Sequence, residues 1–166
     1  PIWLGEVDPH MLDACARYGQ GWNSTPVTID GMRQRLELLG DACNRAGRDP
    51  GEITKSLEMQ ILIADDLAGV RDRLQQISQL DPTTPPAPEL AAFIAGDTDV
   101  VPESVARTTL IGSPDDVAGQ MIDINRRLGV NHLILSMEWA GMEKNVAMDC
   151  MQLMAEEVIP RVRQAT

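Results

Sequence analysis

Short apolar runs alternating with amphipathic helices place this 166-residue chain in the α/β class, with parallel strands covered by helices. Three observations predict it. Between 110 and 136 a helical pattern passes through Gly129 directly into a nearly unbroken apolar run, which is half of a β/α repeat. Residues 53–64 alternate apolar and polar side chains, the signature of a strand with one buried face. Helix-start signals at Asp8-Pro9, Thr28 and Ser113-Pro114 supply the helices between the strands.

Taken in order, Pro1 to Gly5 (PIWLG) reads as a very short strand ended by glycine. Asp8 is an N-cap, and Pro9 suits the first helical position because its missing N–H would have no partner there anyway. Met11, Leu12, Cys15, Ala16 and Tyr18 are expected on the buried side of this helix, which stops at Gly19. A second brief strand, Gly21 to Ser24, follows. Thr28 starts a longer helix with Ile29, Met32, Leu36, Leu39 and Cys43 on one face, closing at Gly47. In the strand Ile53 to Ala64, Leu57, Met59, Ile61 and Ile63 share one face, with Glu58 and Gln60 on the other. Leu67, Val70, Leu74 and Ile77 mark the next helix.

From Asp81 to Pro88 four prolines in eight residues forbid regular structure. A short helical piece around Glu89 to Ala95 precedes a further loop to Arg107. An excursion over 81–107 of this kind is usually functional or mobile. Ser113 then caps a helix with Asp115 and Asp116 in its first turn and Val117, Met121, Ile124 and Leu128 along one stripe. Arg126, Arg127 and Gly129 end it, and Val130 to Met137 reads as a buried strand. Lys144 to Val158 is a helix with Ala147, Met151, Met154 and Val158 inward, disturbed or ended at Pro160.

Four strands, each followed by a helix, make one domain over 1–166 and amount to half of an eight-fold (β/α)8 TIM barrel. Placed in such a barrel, Glu58 and Gln60 point inward. In a half-barrel standing alone they lie on an exposed strand face.

Composition excludes several classes. Apolar residues at 43% and charged residues at 23% suit a globular chain with a core of its own. A formal charge of −11 sets the field against nucleic acid and anionic membranes. No apolar stretch approaches the roughly 20 residues a spanning helix needs, and the N-terminus lacks the make-up of a secretory signal. Starting at Pro1 fits either a removed initiator methionine or a cut from a longer chain. Cys15, Cys43 and Cys150 form no CxxC pair and fall inside helical patterns, so reduced core thiols in a cytoplasmic protein are expected. No Ser-His-Asp order, HExxH, phosphate-binding Walker loop or zinc spacing occurs, which leaves hydrolase and metal readings without support.

The ordered set PIWLG, LDACARYGQGWNS, RAGRDPGEI, TLIGSPDDVAGQM, LGVNHLILS and AEEVIPRVR resembles the C-terminal half of luciferase-like monooxygenases. These are (β/α)-barrel oxidoreductases that use reduced FMN or the deazaflavin F420. The resemblance covers nearly the whole chain and implies a small-molecule substrate. It also implies that the first four βα units, which in that family carry the usual catalytic histidine and much of the flavin pocket, lie outside these residues. A missing N-terminal half-barrel or a second copy would then cover the open sheet edges.

The resemblance also implies a site. In the family the strand matching Ile2 to Leu4 usually ends in paired glycines, whose backbone N–H groups approach the cofactor phosphate at the next helix start. On that basis Gly5, Glu6 and Val7 are the cofactor-binding candidates, through backbone. Gly5 is kept, whereas Glu6 and Asp8 stand where the family tends to have glycine or small residues. A plain strand-to-helix turn is the competing reading of Gly5 to Pro9. Trp22, Ser24 and Thr25 follow the second strand at the rim where barrels place their chemistry, and with Arg107 they are the substrate-side candidates. Trp22 also reads as core and Arg107 as a solvated cation. His132 begins a strand at the opposite end and reads as structural, His10 as a surface residue. No catalytic acid or base can be named.

Overall fold

The computed structural model describes residues 1–79, 85–138 and 142–165. Part of the proline-rich run, residues 81–84, lies outside them. The chain divides into two compact units, Pro1–Met59 with Ile124–Leu135, and Gln60–Asp123 with Ser136–Thr166.

In the first unit, β1 (Trp3–Gly5), β2 (Gly21–Ser24) and the opening residues of β3 (Thr54–Ile63) lie side by side and parallel. Trp3 stands against Gly21 and Gly5 against Asn23, while Gly21 pairs with Thr54 and Ser24 with Leu57. β5 (His132–Ser136) also pairs with β3, and the Asn131 amide and side chain bracket Lys55. Between the strands run α1 (Pro9–Tyr18) and α2 (Ile29–Ala46).

Local chemistry fixes both helices. Asp8 caps α1 and Thr28 caps α2. Gly47, at φ 68°, closes α2 in the left-handed conformation that glycine adopts without a Cβ penalty. Arg48 then turns back, and its guanidinium donates to the carbonyls of Gly19 (2.6 Å), Ala16 (3.2 Å) and Cys15 (3.4 Å) at the negative end of α1. The core of this unit is Leu12, Cys15 and Ala16, Met32, Leu39 and Cys43, with Trp22, Leu57 and Met59 from the strands.

In the second unit the last residues of β3 pair in parallel with β4 (Thr109–Gly112), from Gln60 opposite Thr109 to Ile63 opposite Gly112. This unit also holds α3 (Leu67–Ser78), α4 (Pro88–Ala95), α5 (Glu103–Ala106), most of α6 (Pro114–Leu128), α7 (Lys144–Leu153) and α8 (Ile159–Ala165), and its buried residues include Leu62, Ile63, Val70, Phe93, Leu110 and Val117. The described part of the excursion is therefore structured. Arg71 of α3 donates to the carbonyls of Phe93 and Thr98, both at 2.8 Å, pairs with Asp99, and lies 5.2 Å from the centre of the Phe93 ring.

Four expectations are corrected. Tyr18 is 62% and Met11 40% exposed, because on α1 they project to one flank of the arc made by Leu12, Cys15 and Ala16. Met151 is likewise exposed, beside a buried arc made by Val146, Ala147, Cys150 and Met154. Thr109–Gly112 is a strand that the sequence pattern did not mark. β5 is half-exposed rather than buried, with Ile134 41% exposed. Of the two readings of Pro160, disturbance holds: a π turn over Met154–Val158 precedes it, and the helix continues to Ala165. Such a turn absorbs the hydrogen bond that proline cannot make.

Candidate functional site

The link from β1 to α1 is held at three points. Glu6 adopts φ 72°, the left-handed region where a non-glycine residue is strained. Its carbonyl accepts a hydrogen bond of 3.0 Å from the indole Nε1 of Trp22. Trp22 is fully buried, so its role here is to fix Glu6 rather than to touch a ligand. Asp8 follows in the cap position, and one carboxylate oxygen accepts from the amides of His10 (2.9 Å) and Met11 (3.4 Å). His10 itself is exposed.

At the end of β2 the structure joins Ser24 and Thr25 through a residue that sequence reading missed. Nη1 of Arg35, on the second turn of α2, donates to Ser24 Oγ (2.7 Å), Thr25 O (3.1 Å) and Thr25 Oγ1 (3.2 Å). Ser24 is buried and its hydroxyl donates a hydrogen bond to Thr25 O at 3.0 Å, while Thr25 is exposed. The Ser24 to Thr25 turn is thus fixed, with Thr25 outward. Next to it Ser56 Oγ donates to Asn23 Oδ1 at 2.8 Å, tying β2 to β3 by side chains.

Arg107 belongs to the second unit, where it is exposed and its amide closes α5 on Glu103. Close to it in sequence, Val105, Thr108 and Thr109 line an open pocket of about 500 Å³ with Gln60, Leu74 and Leu90. Thr109 Oγ1 donates to Gln60 Oε1 at 3.4 Å. Glu58 and Gln60 are half-buried, on the strand face opposite to the buried Leu57, Met59 and Ile61, as the alternation predicts. Ser113 forms a reciprocal cap with Asp116, whose carboxylate accepts from both the amide (3.0 Å) and hydroxyl (2.6 Å) of Ser113. His132 packs edge-on against Trp3, with ring centres 5.2 Å apart.

Two thiols are tuned by their surroundings: burial pushes both Cys15 and Cys43 up from the ordinary thiol range. Among the described residues no cluster of His, Cys, Asp and Glu is arranged to hold a metal ion, and no helix is long and apolar enough to cross a membrane.

The donors of α1 decide whether a phosphate fits this helix end. Pro9 has no N–H, His10 and Met11 already donate to Asp8, and the Leu12 amide is bonded to the Asp8 carbonyl at 2.9 Å. A phosphate does not fit at this first turn.

Parallel strands with helices between them define an α/β fold of the kind that (β/α) barrels are built from, with polar residues fixed where β2 ends. Residues 1–132 match the luciferase-like monooxygenase family, and the chain belongs to it. Among solved structures it is similar to a monooxygenase from Streptomyces bottropensis, at 26% identity and a TM-score of 0.68, covering 96% of this chain and 47% of that one. The coenzyme F420 dependent tetrahydromethanopterin reductase of Methanopyrus kandleri matches at 18% identity and a TM-score of 0.65, over 98% of this chain and 51% of that one. The EDTA monooxygenase of Chelativorans sp. BNC1 matches at 15% identity and a TM-score of 0.68, over 97% of this chain and 43% of that one. The chain spans about half the length of these structures. No curated protein matches it.

Proposed function

We propose that this chain forms the C-terminal side of the barrel of a luciferase-like oxidoreductase, completed by an N-terminal half-barrel. The unequal coverage carries the reading: nearly all of this chain aligns with less than half of the Streptomyces monooxygenase. The surface agrees with it. Ile2 just before β1, Trp3 on it, and Met11 and Tyr18 on α1 are all exposed apolar groups on the side where a preceding βα unit would pack.

In the assembled barrel FMN or F420 would supply the redox chemistry on a small-molecule substrate. The backbone of Gly5, Glu6 and Val7 faces that cofactor, whose phosphate lies elsewhere than on α1. Thr25, held out by Arg35, is the substrate-side group of the first unit, with Ser24 and Trp22 supporting from beneath, and Arg107 is a separate substrate-side candidate in the second unit. Three unpaired buried cysteines suit the cytoplasm, where thiols stay reduced.

The test is to titrate FMN and F420 separately into the chain alone and into the chain mixed with four upstream βα units, following cofactor fluorescence. Binding that appears only in the mixture supports the reading. No binding at tens of micromolar cofactor in either sample refutes it. A second reading, a non-catalytic half-barrel that pairs with itself, is favoured by the carboxylate of Asp8 at the expected phosphate position. Sedimentation equilibrium separates the two, since self-pairing predicts a dimer that the upstream half does not dissociate.

A further inference from the structure

We infer that Asp8 acts as a built-in anion at the N-terminus of α1 and excludes phosphate from that helix end. This rests on the proposed reading that the Gly5 to Val7 loop faces the cofactor, and goes beyond it by naming what keeps the phosphate off.

A helix start attracts anions because its first amides have no partner within the helix and its dipole is positive there. In this chain those attractions are already spent. The first helical residue, Pro9, has no donor; the His10 and Met11 amides converge on a single Asp8 oxygen at 2.9 and 3.4 Å; the Leu12 amide is taken by the Asp8 carbonyl at 2.9 Å. Asp8 cannot easily vacate the place. Glu6, two residues earlier, is fixed in the left-handed conformation at φ 72°, with its carbonyl on the Trp22 indole at 3.0 Å, so the chain enters α1 with Asp8 in the cap. A phosphate arriving here would have to displace the two hydrogen bonds from the His10 and Met11 amides to Asp8 and sit against a carboxylate of its own sign, with the exposed Glu6 close in sequence. The field of the chain, at a formal −11, adds to the repulsion.

The experiment follows the His10 and Met11 amide resonances of the isotope-labelled chain during titration with inorganic phosphate. Three proteins are compared: the native chain, Asp8→Gly and Asp8→Asn. Glycine remains an acceptable N-cap, and asparagine keeps the cap hydrogen bonds while removing the charge. The native resonances are expected not to shift up to tens of millimolar phosphate. In Asp8→Gly they should shift saturably, with affinity at least about ten-fold above the native limit, and in Asp8→Asn by a smaller factor. Saturable shifts in the native chain overturn the inference. So does an Asp8→Gly chain, or a folded Asp8→Asn chain if glycine prevents folding, that stays as unresponsive as the native one. FMN fluorescence, read in parallel with the upstream half present, reports on the oxidoreductase reading alone, because inorganic phosphate tests the helix end whether or not a flavin binds.

Discussion

The indole of Trp22 donates to the carbonyl of Glu6 across 3.0 Å, and this bond ties the strained β1 to α1 link to the buried centre of the first unit. Trp22→Phe keeps most of the packing and removes the donor. It should cost about 1–2 kcal/mol in urea denaturation. Glu6→Gly relieves the left-handed strain at φ 72° and should be neutral or stabilising by up to about 1 kcal/mol. If the bond holds the strain in place, the two changes are non-additive by about 0.5 kcal/mol or more; simple additivity refutes the coupling.

Arg35 supplies three hydrogen bonds to the Ser24 to Thr25 turn through one nitrogen. Arg35→Met retains the stem and loses those bonds. The expected result is a loss of about 1–2 kcal/mol and faster amide exchange confined to the segment after β2, with α2 itself protected. Unchanged exchange there would mean that the turn is fixed by its own backbone.

The cap formed by Arg48 combines a cation with three carbonyls at one helix end, and its side chain is only 18% exposed. Arg48→Ala should lower stability by about 2–3 kcal/mol, and Arg48→Lys should recover only part of it, because the shorter stem ends before the position of Nη1, the one nitrogen that makes all three bonds. High salt should leave the native contribution nearly intact, since the guanidinium is shielded from solvent and the three partners of its Nη1 are uncharged carbonyls. A loss below about 0.5 kcal/mol in Arg48→Ala would remove the cap from any account of why α1 holds its place.

Helix starts and stops were the readable part of this chain. Asp8-Pro9, Thr28, Gly47 and Ser113 act within three or four residues of themselves, so sequence alone exposes them. The alternation in β3 was equally plain because one face is buried along its length. β4 was not, since its four residues become a strand only by pairing with Gln60–Ile63, nearly fifty positions away. The site divides in the same way. Ser24 and Thr25 were marked by their place after β2, whereas Arg35, one of several polar residues on a helix, gains meaning only when the chain folds it back onto them. Trp22 and Glu6 were both marked as candidates but not as partners, because a left-handed φ on glutamate leaves no signal in composition.

Cys15 and Cys43 make stability pH-dependent at the alkaline end. Burial raises both thiols in the folded chain, so at a pH above the ordinary thiol range the unfolded chain has released protons that the native one still holds. Their contribution is complete below about pH 8.5, the ordinary thiol value, and is lost as pH rises from there towards the raised folded values. Urea midpoints measured from pH 7.5 to 10 should fall over that upper range, and the fall should shrink in a Cys15→Ala, Cys43→Ala double variant. A thiol reagent should find none of the three cysteines in the native chain at neutral pH and all three in urea, as all are fully buried.

β4 shows how a side chain can stand in for a strand. The amide of Gln120 in α6 accepts from Ile111 N at 3.1 Å and donates to Ile111 O at 2.8 Å, satisfying both peptide groups that a neighbouring strand would otherwise take. Ile111 is buried, so removing that partner leaves a donor and an acceptor without water. Gln120→Ala should therefore cost about 2–4 kcal/mol, more than an ordinary surface change on a helix. Gln120→Glu separates the two bonds. A carboxylate still accepts from the Ile111 amide but repels its carbonyl, so this variant should be destabilised at neutral pH and partly recover in acid, when the protonated carboxyl can donate again. Equal stability of Gln120→Glu at pH 4 and pH 7, after subtracting the native chain's own change, would show that the bond to the carbonyl contributes nothing.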